Sequence, residues 1–303
     1  MEKTFLLGVG AQKAGTTWLY RYLKQHPDCN MGSIKEYAVF NTVLRPDLFH
    51  KRPRNRFRSL ARICEARAEL PQDHYAYEDP AALLELMDSI ALAADPERYV
   101  PHFDRLYDAA PQVRLVGDIT PEYSALRAED YRFIRNLIEA GGYRIKVVFL
   151  MRDPLERCYS ATRMADRSAS RQGQKVRKAA HERFATEAVS QWCDIRTRYE
   201  HTITALEESF APEDVFHGFY ETLLSQEGVR ALTDFLGIAP HPANLDRRVN
   251  ASPRTHEPDP AAIAAVRRHY AETYDFCRHR FGARFIDRIW RYAEHDGQGE
   301  GKK

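Results

Sequence analysis

The sequence predicts an α/β protein with a mostly parallel central sheet flanked by helices, folded as one domain over residues 1–295 with a frayed tail at 296–303. Three observations carry this expectation. Short apolar runs recur along the chain, and each is followed by a stretch whose apolar residues keep helical spacing. A glycine-rich loop and an arginine both stand directly after such runs, where α/β sheets place their ligand-binding residues. No internal repeat and no flexible linker divides the 303 residues.

In chain order, "TFLLGVG" (Thr4 to Gly10) predicts a buried strand entering a turn. From Thr16, the residues Trp18, Leu19, Tyr22 and Leu23 recur at helical spacing, and His26-Pro27 closes that helix. Residues 45–67 are arginine-rich without a strong apolar period, which predicts loop with a short helix. Asp79-Pro80 predicts the start of the helix "AALLELMDSIALAA". Val113 to Thr120 reads as a second strand, and 128–140 as a helix ended by Gly141-Gly142. Ile145 to Met151 is the clearest strand, with Arg152 at its carboxyl end. A helical region runs from Glu182 to about Ser209, and "DVFHGFYE" is a fourth strand. "TLLSQEGVRALTDFLGI" predicts a helix with Gly237 as its cap, and a last long helix spans Asp259 to about His295.

Bulk properties exclude several classes. A net charge of +2 gives no global field for nucleic acid. Five cysteines without a CxxC pair speak against a disulfide framework or a zinc knuckle and for a reducing compartment. The apolar run at the N-terminus is too short for a secretion signal or a membrane span, so the expected location is cytoplasmic.

"GVGAQKAGTTW" (Gly8 to Trp18) is the most informative stretch. A strand, a glycine turn and a helix start gather backbone N–H groups around one point, with the helix dipole adding positive potential. Lys13 adds a full charge, and the Thr16 and Thr17 hydroxyls add donors. The pattern fits a phosphate cradle, with a plain βα turn as the alternative. An NTPase loop needs lysine directly after its second glycine. Thr16 stands there and Lys13 precedes Gly15 by two, so Mg-ATP chemistry is disfavoured.

K-x-G-T-T-W resembles the 5′-phosphosulfate loop of PAPS-dependent sulfotransferases, PAPS being 3′-phosphoadenosine-5′-phosphosulfate; the mixture of motifs is of a bacterial type. That resemblance implies an arginine after a strand with a serine eight residues on, and the chain supplies Arg152 and Ser160. "YETLL" from Tyr220 and "FLGI" from Phe235 resemble further family elements, and "RRVNASPR" (Arg247 to Arg254) stands where relatives have a basic closing loop. The roles implied are these. Lys13 binds the oxygen bridging sulfate and 5′-phosphate. Ala14, Gly15, Thr16 and Thr17 hold the 5′-phosphate, and Trp18 stacks on adenine. Arg152 and Ser160 bind the 3′-phosphate, with Tyr220 near the nucleotide and Arg254 over it. PAPS is the expected donor, PAP the product, and no metal is required.

"SIKEYAVFN" (Ser33 to Asn41) resembles the K-E-x-x-F-F segment of glycan sulfotransferases. It implies Glu36 as the base for the acceptor hydroxyl, Lys35 near the sulfonate and Phe40 as one of the aromatics; His102 and Glu122 are the reserve bases. "GDITPEYSA" (Gly117 to Ala125) keeps Pro121 and Tyr123 of a heparan-type segment but has Ile119 in place of its lysine, so the heparan acceptor is not carried over. The expected acceptor is a hydroxyl on a saccharide or glycolipid. A small-molecule alcohol is the alternative, and more remotely an ATP-dependent kinase or a non-catalytic nucleotide binder. Two basic clusters remain, residues 45–67 and the i, i+4 series Arg163, Arg167, Arg171. They read as a cradle for an anionic acceptor or a contact with a membrane surface, or as solvated faces.

Overall fold

Five parallel strands form the centre of the molecule in the order β2-β3-β1-β4-β5. They are β1 (Lys3–Gly10), β2 (Cys29–Asn30), β3 (Leu115–Ile119), β4 (Tyr143–Met151) and β5 (Val215–Phe219). The computed structural model describes residues 3–68, 81–171, 178–243, 245 and 256–293. β1 is buried from Phe5 to Gly10, β3 throughout, and β4 from Val147 to Met151. Such continuous burial is what a parallel sheet covered on both faces produces, and it explains why these runs lack an alternating pattern.

Sixteen helices among the described residues cover the sheet. The first six are α1 (Thr16–Gln25), α2 (Phe40–Leu44), α3 (Pro46–Phe49), α4 (Lys51–Ala68), α5 (Ala81–Ala94) and α6 (Tyr99–Tyr107). Then come α7 (Ala128–Ala140), α8 (Pro154–Arg171), α9 (Ala180–Ala188), α10 (Gln191–Asp194) and α11 (Tyr199–Glu207). The series closes with α12 (Tyr220–Leu223), α13 (Gln226–Leu236), α14 (Pro260–His269), α15 (Ala271–Phe281) and α16 (Ala283–Ile289).

The strand order has one switch point. From β1 the chain moves toward the β2 edge, and from β4 toward the β5 edge, while β1 and β4 lie side by side with Leu7 opposite Val147 and Gly10 opposite Phe149. A crevice opens where neighbouring connections diverge in this way, at the carboxyl ends of the two strands.

Four elements differ from the sequence reading. The arginine-rich segment is mostly helix, α3 followed by the 18-residue α4. Arginine is a good helix former, and Arg56 replaces an apolar anchor by donating to the carbonyls of Ser89 (2.8 Å) and Tyr37. The region after Glu182 breaks into α9, α10 and α11, because Ser190 caps a new helix by accepting the Cys193 N–H. Ser225 likewise restarts the helix at α13, which Gly237 then ends in a left-handed conformation at φ 67°. The last long helix is three, with Gly282 at φ 93° between α15 and α16. The Asp79-Pro80 helix start and the tail at 296–303 lie outside the described residues.

Candidate active site

The loop between β1 and α1 passes over the switch point. Lys13 has φ 73°, a left-handed conformation that costs a non-glycine residue about 1–2 kcal/mol. Gly15, at φ 97°, takes the N-cap position of α1 without any side-chain cap. A Cβ there would press on the Tyr220 ring at 3.3 Å and on Leu223 at 3.4 Å, so both conformation and space demand glycine. With no side chain over the helix start, the first-turn N–H groups remain available to an anion. Thr16 is buried and Thr17 half-buried in that turn. The Ala14 N–H is directed to the Ala11 carbonyl at 3.1 Å.

Arg152 reaches the same point from the end of β4. Its Nη1 lies 3.4 Å from the Lys13 carbonyl, its Nη2 donates to Glu156 at 3.1 Å, and its guanidinium covers the Tyr220 ring at 4.6 Å. The partner is thus Glu156, one turn into α8, rather than the adjacent Asp153. Asp153 instead caps α8, accepting the Leu155 N–H at 3.0 Å and the Tyr274 hydroxyl at 2.8 Å. Glu221 fastens the turn by accepting the Asp153 N–H at 3.0 Å, and burial pushes its carboxyl up to about 7. Ser160 lies on α8 one turn beyond Glu156 and is buried.

Cations crowd this end of the sheet. Lys13 is pulled down to about 8, first by burial and then by the charges of Arg167, Arg152, Arg163 and Lys35. Burial and four neighbouring cations together weaken the hold of Lys13 on its proton, and a cluster of like charges of this kind suits a polyanion. Arg163 and Arg167 therefore belong to the cleft rather than to a solvated face, whereas the Arg171 side chain lies outside the described residues. Arg254 also lies outside them. Trp18 is 6% exposed and stacks on Tyr22, with ring centres 5.3 Å apart and planes 5° from parallel. One face of the indole expected to meet adenine is therefore already covered.

Glu36 and Lys35 pair at 2.6 Å with both side chains about a third exposed. Their segment is pinned to the end of β3: Ala38 N–H donates to the Thr120 hydroxyl at 3.1 Å and Val39 N–H to the Tyr123 hydroxyl at 3.2 Å. Both hydroxyls in turn donate to Asp118, at 2.7 and 2.6 Å, and burial raises that carboxyl to about 6. So "GDITPEY" braces the segment carrying Glu36. The two reserve bases lie beside the same segment, each with partners of its own. Glu122 is buried and grips Arg196 at 2.8 Å, Asn41 at 2.9 Å and Arg52, which occupies its lone pairs. His102 shares a hydrogen bond of 3.0 Å with the Tyr37 hydroxyl, and the charges around it, Arg105 and Asp88, are not those of the anion loop.

Sequence reasoning missed Arg52, Arg196 and Asn41. Glu122 and Arg196 are 74 positions apart, and no local pattern links them.

A model of the sulfotransferase family matches residues 6–242. Among solved structures, a sulfotransferase from Alicyclobacillus acidocaldarius aligns over 95% of this chain and 96% of its own, at 18% identity and a TM-score of 0.54. That likeness is one of fold. A sulfotransferase domain from the Synechococcus PCC 7002 olefin synthase (17% identity, TM-score 0.42, 88% and 86% covered) is looser. So is a sulfotransferase from Mycobacterium avium (13% identity, TM-score 0.43, 91% and 76% covered). No curated protein matches the chain. Among the described residues no group of three or more histidine, cysteine or carboxylate side chains is arranged to hold a metal ion, and no helix is long and apolar enough to cross a membrane.

Proposed function

This chain belongs to the sulfotransferase family, and from that premise we propose that it transfers a sulfuryl group from PAPS to an acceptor hydroxyl on a saccharide or glycolipid. The observation that carries the donor assignment is the meeting of Lys13, Arg152 and Tyr220 at the switch point, beside a helix start left open by Gly15. The crowding of cations around Lys13 fits the charge of a phosphosulfate and a second phosphate.

PAPS supplies the sulfuryl group. In the proposed step the acceptor oxygen forms a bond to sulfur as the bond from sulfur to the bridging oxygen breaks. Lys13 holds its charge against that bridging oxygen, where negative charge grows, and so favours the transition state over the ground state. The α1 N–H groups with Thr16 and Thr17 fix the 5′-phosphate. Arg152 and Ser160 fix the 3′-phosphate, Arg152 already oriented by Glu156 and Tyr220. Glu36 takes the hydroxyl proton, and Lys35, paired with it at 2.6 Å, aims that carboxylate. The hydroxyl-bearing saccharide is supported by the likeness of "SIKEYAVFN" to glycan-type segments.

Calorimetric titration with PAP, and separately with ATP and magnesium, tests the reading. Metal-independent PAP binding that is lost in Arg152→Ala is expected. A preference for Mg-ATP would replace it with kinase-type chemistry.

A further inference from the structure

Beside the Glu36 segment lies a cavity of about 560 Å³ between α3, α4, α5 and α10. Its apolar wall is Leu48, Phe49, Leu86 and Trp192, and its floor is the Arg52–Glu122 pair. This lining is joined to the segment of the candidate base, because Arg56, which also lines the cavity, donates to the carbonyl of Tyr37 directly after Glu36, and Asn41 of the same segment donates to Glu122 at 2.9 Å.

Trp192 is the informative residue. It is 51% exposed. It is nevertheless held in place. The Arg196 guanidinium covers one face at 3.4 Å, and the Phe49 ring meets it edge-on at 5.7 Å. Arg196 is itself fixed by Glu122 at 2.8 Å. An aromatic wall whose orientation is set before any ligand arrives gives up little entropy on binding. Exposed Phe57 on α4 and exposed Leu84 and Met87 on α5 continue the apolar character along the same two helices.

We infer that this cavity is the acceptor's second subsite, and that it takes an apolar tail or ring joined to the hydroxyl-bearing group presented to Glu36. The inference rests on the sulfotransferase reading and narrows it: the acceptor is an amphiphile, a glycolipid rather than a free sugar. Arg52 is paired with Glu122 and Arg56 is tied to the carbonyls of Ser89 and Tyr37, while Lys51 leaves the lining with an excess of positive charge; Leu48, Phe49, Leu86 and Trp192 supply the surface that an apolar tail or ring would meet.

The test is calorimetric titration of the protein, with and without PAP, using octyl β-glucoside below its micellar concentration and methyl β-glucoside as the matched short probe. Octyl glucoside is expected to bind tighter by about tenfold or more, from the apolar surface its chain buries. Trp192→Ala should erase that difference while leaving PAP affinity unchanged. Leu86→Gln, at a half-exposed wall position that perturbs folding less, should reduce it. Equal affinities for the two glucosides, or a preference that survives both substitutions, would overturn the proposal. Failure of PAP to bind, with the octyl preference intact, would strike the donor assignment and leave the cavity standing.

Discussion

Lys13 and Glu36 are brought to one cleft by opposite means. The loop carrying Lys13 is shaped by the residues beside it: a buried strand before, a glycine helix start after, and one neighbouring strand end that contributes Arg152. The segment carrying Glu36 has no regular structure of its own, and hangs from Thr120 and Tyr123, 82 and 84 positions away in the two hydrogen bonds that hold it. On the proposed reading each donor-side residue sits in a short motif that is legible by itself, although the motifs meet only through the sheet, whereas the Glu36 segment takes its shape from distant partners. Substitutions should separate the two sides.

The largest separation is expected from Lys13→Ala. Turnover of labelled PAPS should fall about 10³-fold, as for loss of one preorganised charge at a developing anion, while the fold and the acceptor side stay intact. Glu36→Gln comes next. It should lower kcat by about 10²-fold or more and leave PAP binding unchanged, since the base acts only on the acceptor. An active Glu36→Gln enzyme would move the base elsewhere and end the contrast drawn here.

Arg152→Ala should raise the PAP dissociation constant by about 10- to 100-fold, the worth of a charge-assisted hydrogen bond, without a matching loss of thermal stability. Glu122→Gln should do the reverse. It leaves the buried Arg196, and the partly exposed Arg52, without their counter-charge, and breaking a buried pair such as Arg196–Glu122 costs about 3–5 kcal/mol. The melting temperature should fall while PAP affinity holds. If Glu122→Gln proved as stable as the parent, the acceptor side would not depend on its ion triad.

The same contrast explains what could be read in advance. Gly15, Lys13 and the strand-ending Arg152 announce themselves, because a strand, a turn and a helix start are local events with local signatures. The cap at Gly237 and the helix over 128–140 were legible for the same reason. The 18-residue α4 was not, since it is anchored by the Arg56 guanidinium, bonded to the carbonyls of Ser89 on α5 and of Tyr37, where an apolar side chain would be expected. Nor was the triad of Arg52, Glu122 and Arg196, whose members meet only after α4, the β3 end and the α10–α11 turn have packed. Trp18 is a different case: a helix-start tryptophan suits a nucleotide platform, and the structure adds Tyr22, one turn on, as a stacking partner on one face.

The smallest effect expected is one of pH, and it bears on the donor side alone. Lys13 in the empty protein is pulled down to about 8, by burial and by neighbouring cations. An anion binds the protonated form, so its affinity is fully present below that value and falls as pH rises through it. The bound polyanion restores the proton by outweighing the surrounding cations, so the decline ends at the higher value Lys13 has in the complex. Calorimetry with PAP between about pH 7 and about pH 9, on the order of one unit either side of the lysine's titration, should show affinity weakening toward about tenfold per unit above the midpoint. Glu221 titrates at about 7 and so lies below most of that range. Lys13→Arg, which stays charged throughout, should flatten the profile while retaining binding. A slope that persisted in Lys13→Arg would assign the titration to another group, and would mean that the crowding of Arg152, Arg163 and Arg167 is balanced by something other than the charge state of Lys13.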